Sequence, residues 1–507
     1  MPPNRNKFKI KLLFPESNFR AIEQLFISKY ASQCQHLQAA YIDTPDFMLT
    51  QAGVLFRLRK EGCQWLQTLK FTTDNSFEIF EHKVARMKSV KVAPNLDLHL
   101  HRKSRQLLKE VIPKLKVQEL QVCCKTDIWR RKMVIESHYG VIQYAFDRGS
   151  ISSLLPSGTI TAPIQELSIK LVKGEPHIIL NHALKMIKDY GAFIVTRSKF
   201  ERGFILASAL ELHTPVKTKY VALKSARDSS EIISRLFNSC MQQVLVNQSA
   251  LNAECQNYSE YLHQLRIGLR RLKVLFKYLK KYEIHISDKG IEILNRVFSI
   301  FGQYRNNDYV TNVLNPILLS LGGSEIKLGD TEGLSNPAHI TRDKDFQLLL
   351  IELMSVGLSQ SASIDRPVVD KKNNESAVII RKTVTKKLNK RFQFITNQAP
   401  KFSDLPDEDI HLLRKKMKFI RYSLEFFKDF CIRKIYSNFY KTITTTLDNF
   451  GLFNDICVTI DRIEGSAQKD PNILFALSWL KFKRKRVRNL CEKSLKKLMH
   501  TPIPWGC

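Results

Sequence analysis

The sequence predicts a multidomain α+β protein: an antiparallel β-barrel in its N-terminal part and an all-helical, internally duplicated C-terminal part. Three observations carry that expectation. Up to about residue 212, short runs alternate apolar and polar side chains with period two between turn residues. From about residue 223 to 498, apolar side chains recur at helical spacing instead. Within that second stretch one pattern of histidine, cations and apolar residues occurs twice.

The first run, "KFKIKLLF" from Lys7, puts Phe8, Ile10 and Leu12 on one face of a strand and Lys7, Lys9 and Lys11 on the other. Further strands are expected at "QHLQAAYIDT", "GVLFRLRKEG", "CQWLQTLKFT", "GVIQYAFDRG" and "PIQELSIKLV", with Gly62 and Gly149 as turn signals. "FRAIEQLFISKY" and "HIILNHALKMIKDYG" have helical spacing, and Gly191 suits a helix C-cap. Residues 1–210 thus form one domain and residues 211–222, around "LHTPVKTK", a polar linker. Residues 223–500 form a helical domain of two repeats, at about 223–320 and 375–498.

The 507 residues, 44% of them hydrophobic, suffice for two or three domains with sizeable cores. Eighty Lys and Arg against forty-eight Asp and Glu leave a formal charge of +32, which predicts attraction to a polyanion: nucleic acid, acidic membrane or polyphosphate. No run of eighteen apolar residues and no apolar N-terminal segment occur, so neither membrane insertion nor a secretory signal is expected. Ten cysteines without metal-like spacing, including the adjacent Cys123 and Cys124, read as reduced thiols of a cytoplasmic protein.

The repeat is read from "YLHQLRIGLRRLKVLFKYL" and "DIHLLRKKMKFIRYSLEFF". From His263, Arg266, Arg270, Lys273 and Lys277 follow at three, seven, ten and fourteen residues; from His411, Arg414, Lys418, Arg421 and Glu425 follow at the same offsets. One residue before each stripe runs an apolar one: Leu262, Leu265, Leu269, Leu272, Phe276 and Leu279, then Ile410, Leu413, Met417, Ile420, Leu424 and Phe427. Each helix should bury the apolar face and present a ridge of histidine and cations beside it, suited to following a chain of phosphates. "GQYRNNDYV", with Arg305 and Asp308, and "DNFGLFNDICV", with Asn454 and Asp455, echo one another downstream. These segments resemble the CHAD domain over roughly residues 223–498. The resemblance implies two four-helix bundles about a pseudo-two-fold axis, with a basic groove that binds inorganic polyphosphate.

The N-terminal part resembles the CYTH, or triphosphate tunnel, family. "YIDTPDFMLTQAGVLFRLRKEGCQWLQTLK" carries its clearest signature, and "KTDIWRRK", "AFDRGSI", "PIQELSIKLVKGE" and "SKFERGF" follow in the family's order across residues 7–208. The order CYTH then CHAD also occurs in a class of bacterial fusion proteins, which this chain resembles. The resemblance implies an eight-stranded antiparallel barrel whose lumen binds a triphosphate through basic side chains, while carboxylates hold Mg²⁺ or Mn²⁺ to activate water. The implied phosphate-binding positions are Lys11, Arg57, Arg59, Lys70, Arg130, Lys199 and Arg202, with Asp147 as an acidic position.

The acidic half of the pattern is largely gone. Lys7 and Lys9 stand where the family keeps two glutamates; Glu166 is kept, but Ser168 and Lys170 replace the next two. The middle acidic strand is best placed with Ile79 and Glu81, the register around Glu78 to Glu81 being open. An ammonium supplies no metal ligand and repels the ion. The leading expectation is therefore a cytoplasmic, granule-associated protein that binds polyphosphate or triphosphate without a cofactor, with Lys7, Lys9 and Lys170 standing in for the metal's charge. The alternatives are a triphosphatase using Mg²⁺ or Mn²⁺ on Glu81, Asp147 and Glu166, and a nucleic-acid-binding protein using the terminal "KFKRKRVRN".

Overall fold

The computed structural model describes residues 8–15, 18–62, 64–72, 79–86, 94–99, 120–155, 158–208, 215–226, 228–252, 258–279, 284, 286–327, 336–362, 373–464 and 471–505. Lys7 and Glu78 lie outside them, as does the side chain of Glu81. Two compact units result: residues 1–216 with 245–256 and 341–351, and the remainder.

The first unit is built on one sheet of nine strands: β1 Lys9–Leu13, β2 Ser32–Asp43, β3 Val54–Glu61, β4 Gln64–Thr72, β5 Ile79–Arg86, β6 Gln121–Ser137, β7 Gly140–Leu155, β8 Gly158–Gly174 and β9 Phe193–Val195. Its order is β5-β4-β3-β2-β6-β7-β8-β1-β9, and every pairing is antiparallel. The expected eight strands are present; the ninth is a three-residue addition against β1.

Helix α1 (Phe19–Lys29) and, after the single turn α2 (Met48–Gln51), helix α3 (His177–Tyr190) provide the core against one sheet face. Phe19 meets Phe146 edge-on at 5.9 Å and Phe26 meets Tyr144 at 5.1 Å, while the apolar side of β1, Ile10 and Leu12, is buried with them. Gly191 ends α3 at φ 67°, and its N–H donates to the Ile187 carbonyl, as the sequence predicts.

The opposite sheet face is closed at one end by α4 (Lys199–Ser208). Phe200 packs there with Leu37, Tyr41, Cys124, Ile128, Ile151 and Ile164. Gly203 permits this seating, because a methyl group there would lie 2.5 Å from the Cys124 sulfur. None of the described cysteines forms a disulfide, and Cys123 and Cys124 are buried.

The second unit is helical. Its principal helices are α5 (Ser229–Asn252, whose last turns belong to the first unit), α6 (Tyr258–Leu279) and α7 (Asp288–Tyr309), which runs through a π-turn, Val310–Leu314, into α8 (Asn315–Ser320). After α9 (Pro337–Arg342) and α10 (Lys344–Ala362) come α11 (Asn373–Gln398), α12 (Asp407–Phe426), α13 (Arg433–Ile463) and α14 (Pro471–Met499). The predicted apolar stripes are buried on α6 and α12, apart from a half-buried Phe276. Helix α6 meets α12 and α7 meets α13, so each helix of one copy faces its counterpart in the other. The Tyr278 hydroxyl donates to the Ser423 hydroxyl at 2.7 Å across the first of these contacts.

Gly149 is not a turn. It lies inside β7 opposite Ile128, where a methyl group would approach the Asp127 carbonyl oxygen to 2.0 Å. Gly149→Ala should therefore cost about 3 kcal/mol, because rigid backbone must move. Chemical denaturation of the full chain measures this; a loss below about 0.5 kcal/mol would show that the strands separate without penalty.

Candidate functional site

Period-two alternation and the strand register gather one set of polar side chains on the inner face of the sheet. Lys9 pairs with Lys170, and Lys11 with Ser168. Glu166 pairs with Asp147, and Asp147 with Arg130. On the far strands Tyr41 pairs with Arg57 and Ala39 with Arg59, Leu55 pairs with Lys70, and Lys70 pairs with Glu81.

The centre of this face is an ion-pair network. Asp147, fully buried, accepts two hydrogen bonds from Arg130, from Nε at 2.6 Å and Nη2 at 2.7 Å. Lys199 Nζ reaches in from α4, 2.8 Å from Asp147 and 2.6 Å from Glu166. Burial alone pushes the Asp147 carboxyl up, but the Arg130 hydrogen bonds and the Lys199 charge outweigh it and bring it down to about 2. Glu166 is likewise held below its ordinary range against burial, by Lys199 and then Lys11. Burial would lower Lys199, yet the two carboxylates raise it.

Four predicted phosphate ligands, Arg130, Lys199, Lys11 and Arg202, therefore have other partners. Lys199 is the counterion of the retained carboxylates. Lys11 donates to the carbonyl oxygens of Thr196 at 2.9 Å and Arg197 at 2.7 Å, and burial lowers its proton affinity. Arg202 donates to the Pro163 carbonyl at 2.7 Å.

The residues do not fit a divalent cation. Asp147 is already bound by Arg130 and Lys199 and Glu166 by Lys199, and neighbouring positions carry lysines and a serine. No group of three His, Cys, Asp or Glu able to hold a metal exists among the described residues. An anion fits better. The Nε groups of Arg57 and Arg59 and one Nη of Arg202 are buried donors without acceptors. Lys9 is accessible to solvent yet surrounded by protein; burial and then the cations around it, Lys11 first, outweigh Glu166 and bring its ammonium down to about 8.

The second unit contains a groove of about 1290 Å³. From the two sequence ridges it collects Arg266, Arg270, Lys273 and Lys277 of α6 with His411, Arg414 and Lys418 of α12. Sequence reasoning missed Lys415, Arg462 and the aromatic rings beneath the cations. Arg266, Arg270 and Lys273 all stand over the Phe298 ring, at 5.4, 4.8 and 5.2 Å, and Lys277 stands 5.6 Å from that of Phe419. Three predicted members fall outside the groove lining. Arg305 pairs with Asp455 at 3.3 Å, Arg421 with Glu425 at 3.5 Å, and His263 lies further along α6.

The two copies remain equivalent in detail. A methyl group on Gly302 would meet Arg266 Nη2 at 3.8 Å, and one on Gly451 would meet Arg414 Nη2 at 3.6 Å. Crowding has an electrostatic consequence. Burial and then neighbouring cations bring Arg266 down to about 9; burial brings Arg414 down to about 10 and holds Lys418 well below its ordinary value. Burial also lowers His263 and His411, the latter bonded through Nδ1 to the Asn454 side-chain oxygen at 2.7 Å. The Nε groups of Arg266 and Arg414 are buried without an acceptor.

A cationic tunnel-type sheet joined to a duplicated helical domain with a basic groove defines a two-domain protein. Comparison with known families agrees: the CYTH domain model matches residues 8–203 and the CHAD domain model matches residues 235–464. The chain belongs to the proteins in which a CYTH domain is followed by a CHAD domain. Among solved structures it is similar to the CHAD domain from the plant Ricinus communis, at 20% identity over 58% of this chain and 99% of that one, with a TM-score of 0.47. It is also similar to a putative adenylyl cyclase from Hippeastrum described as having a dominant triphosphatase activity, at 16% identity over 41% of this chain and 99% of that one, TM-score 0.31. A putative adenylate cyclase from Bacillus halodurans matches at 16% identity over 39% of this chain and 96% of that one, TM-score 0.27.

The central network makes a pH prediction. Depressed carboxylate pKa values contribute stability above the unfolded values near pH 4, lost as pH falls through the folded ones. Asp147 alone accounts for roughly 2 kcal/mol between pH 5 and pH 1. Lys199→Met should move acid unfolding of the first unit to higher pH by about one unit, followed by circular dichroism. An unshifted midpoint would mean that Lys199 is not their counterion.

Proposed function

We propose that this chain binds inorganic polyphosphate in the helical groove and that its tunnel holds a triphosphate group without hydrolysing it. The observation that carries the reading is the groove itself: six cations and one histidine of the duplicated ridges converge on one cavity, with guanidinium N–H groups left unpaired. Such a site gains twice from a phosphate chain, by supplying acceptors to buried donors and by relieving repulsion among cations. In the tunnel, Lys199 and Arg130 already neutralise the carboxylates that a divalent ion would need. Without that ion no water is activated, so the lysines serve retention of the anion. Nucleic acid ranks behind polyphosphate because the faces of Phe298 and Phe419 are occupied by cations rather than open for stacking.

Polyphosphate binding by the full chain, measured by calorimetry, should weaken steeply with salt and fall at least about tenfold in Arg270→Glu/Arg414→Glu. DNA that resists displacement by polyphosphate at equal phosphate concentration would overturn the choice of ligand. Because burial lowers His411, the histidine that lines the groove, in the free protein and a bound anion favours its protonated form, binding takes up a proton. Affinity should therefore rise from pH 8 to pH 6; a flat profile would remove His411 from the site. Phosphate release from triphosphate should stay at background with Mg²⁺ or Mn²⁺, and metal-dependent turnover would establish the hydrolase reading instead.

A further inference from the structure

The terminal helix α14 has an anomaly that neither the tunnel nor the groove absorbs. Its buried stripe runs through Ala476, Leu477, Leu480, Val487, Cys491, Leu495 and Leu498. At 100° per residue, the direction opposite that stripe passes through Phe475 and Phe482, two turns apart. These positions should be polar. Instead Phe482 is 60% exposed and Phe475 41%, with Leu474 at 55% and Leu490 at 48% on the flanks of the same face. The patch widens at the start of the helix. A methyl group on Gly323 would meet the Phe475 ring at 2.7 Å, so Phe475 seats on the turn that also exposes Leu319 and Leu321 to 50% and 51%.

Between these apolar groups stand cations. Lys485, Arg486 and Lys493 are exposed and have no carboxylate partner among the described residues, whereas Lys481 pairs with Glu464 at 2.7 Å and Lys496 with Glu492 at 2.6 Å. Large apolar side chains at the outermost line of a helix, with unpaired cations alongside, match a surface that is anionic outside and hydrocarbon just beneath. We propose that the outward face of α14 is a peripheral docking site for an anionic lipid bilayer. Phe482 and the leucines enter the headgroup boundary, and Lys485, Arg486 and Lys493 engage lipid phosphates. No described helix is long and apolar enough to cross a membrane, so the contact is lateral. Single-stranded nucleic acid fits this face less well. Stacking requires open aromatic faces, but Arg486 stands over Phe482 at 5.8 Å, Phe475 is seated on Gly323, and the other apolar groups are leucines.

Co-sedimentation of the full chain with vesicles tests this. Vesicles of phosphatidylglycerol and phosphatidylcholine should bind the protein at least about tenfold more tightly than phosphatidylcholine alone. Leu474→Ser/Phe482→Ser and, separately, Lys485→Glu/Arg486→Glu should each weaken that binding about tenfold while circular dichroism stays unchanged. Arg270→Glu/Arg414→Glu should leave it intact, which separates this face from the polyphosphate groove. Absence of a phosphatidylglycerol preference overturns the proposal. So does full vesicle binding by the Leu474/Phe482 variant, or loss by that variant of single-stranded DNA binding rather than vesicle binding.

Discussion

The Lys199 ammonium, held between Asp147 and Glu166, is the interaction on which the first unit turns. It joins α4 to the strands β7 and β8, seals the polar end of the inner face against the apolar cluster around Phe200, and cancels charge that would otherwise be intolerable in a buried site. Two carboxylates facing each other across a strand pair need a cation between them. In a metal-binding tunnel that cation is exchangeable. Here it is covalently part of the chain, and Arg130 completes the neutralisation from β6.

The second unit solves the opposite problem. Its cations are gathered, not neutralised. Apolar packing of α6 against α12 and of α7 against α13 forces the ridges together, and core burial supplies the energy that keeps like charges close. Three cations stand over the Phe298 ring, which stabilises their positions without quenching their charge. Thus one chain contains a site where fixed charges are satisfied internally and another where cations are gathered with guanidinium N–H groups left unpaired.

Much of this was readable from local periodicity. The alternation in "KFKIKLLF" placed Lys9 and Lys11 on the face opposite Ile10 and Leu12, and Gly191 marked the end of its helix. The equal offsets after His263 and His411 led to helices that do meet, because apolar stripes at helical spacing must be covered. What was not readable depended on chain segments distant in sequence. Lys11 spends its ammonium on carbonyls 185 and 186 residues away, and Lys199 on carboxylates rather than a ligand. Gly149 looked like a turn because only the neighbouring strand reveals the close approach that demands glycine. Lys415, Arg462 and Phe298 carry no signal of their own; they join the groove through helix packing.

The self-repelling groove has a consequence for the life of the protein. Arg266, Arg414 and Lys418 give up proton affinity in the free state, so that state is the strained one, and any anion that fills the groove deepens the native well by the logic of linkage. With the polyanion proposed above as ligand, the fraction of chains that open, and with it their exposure to proteases, would follow the supply of that anion. Abundance of the protein would then become a gauge of that ligand, with no separate sensor required.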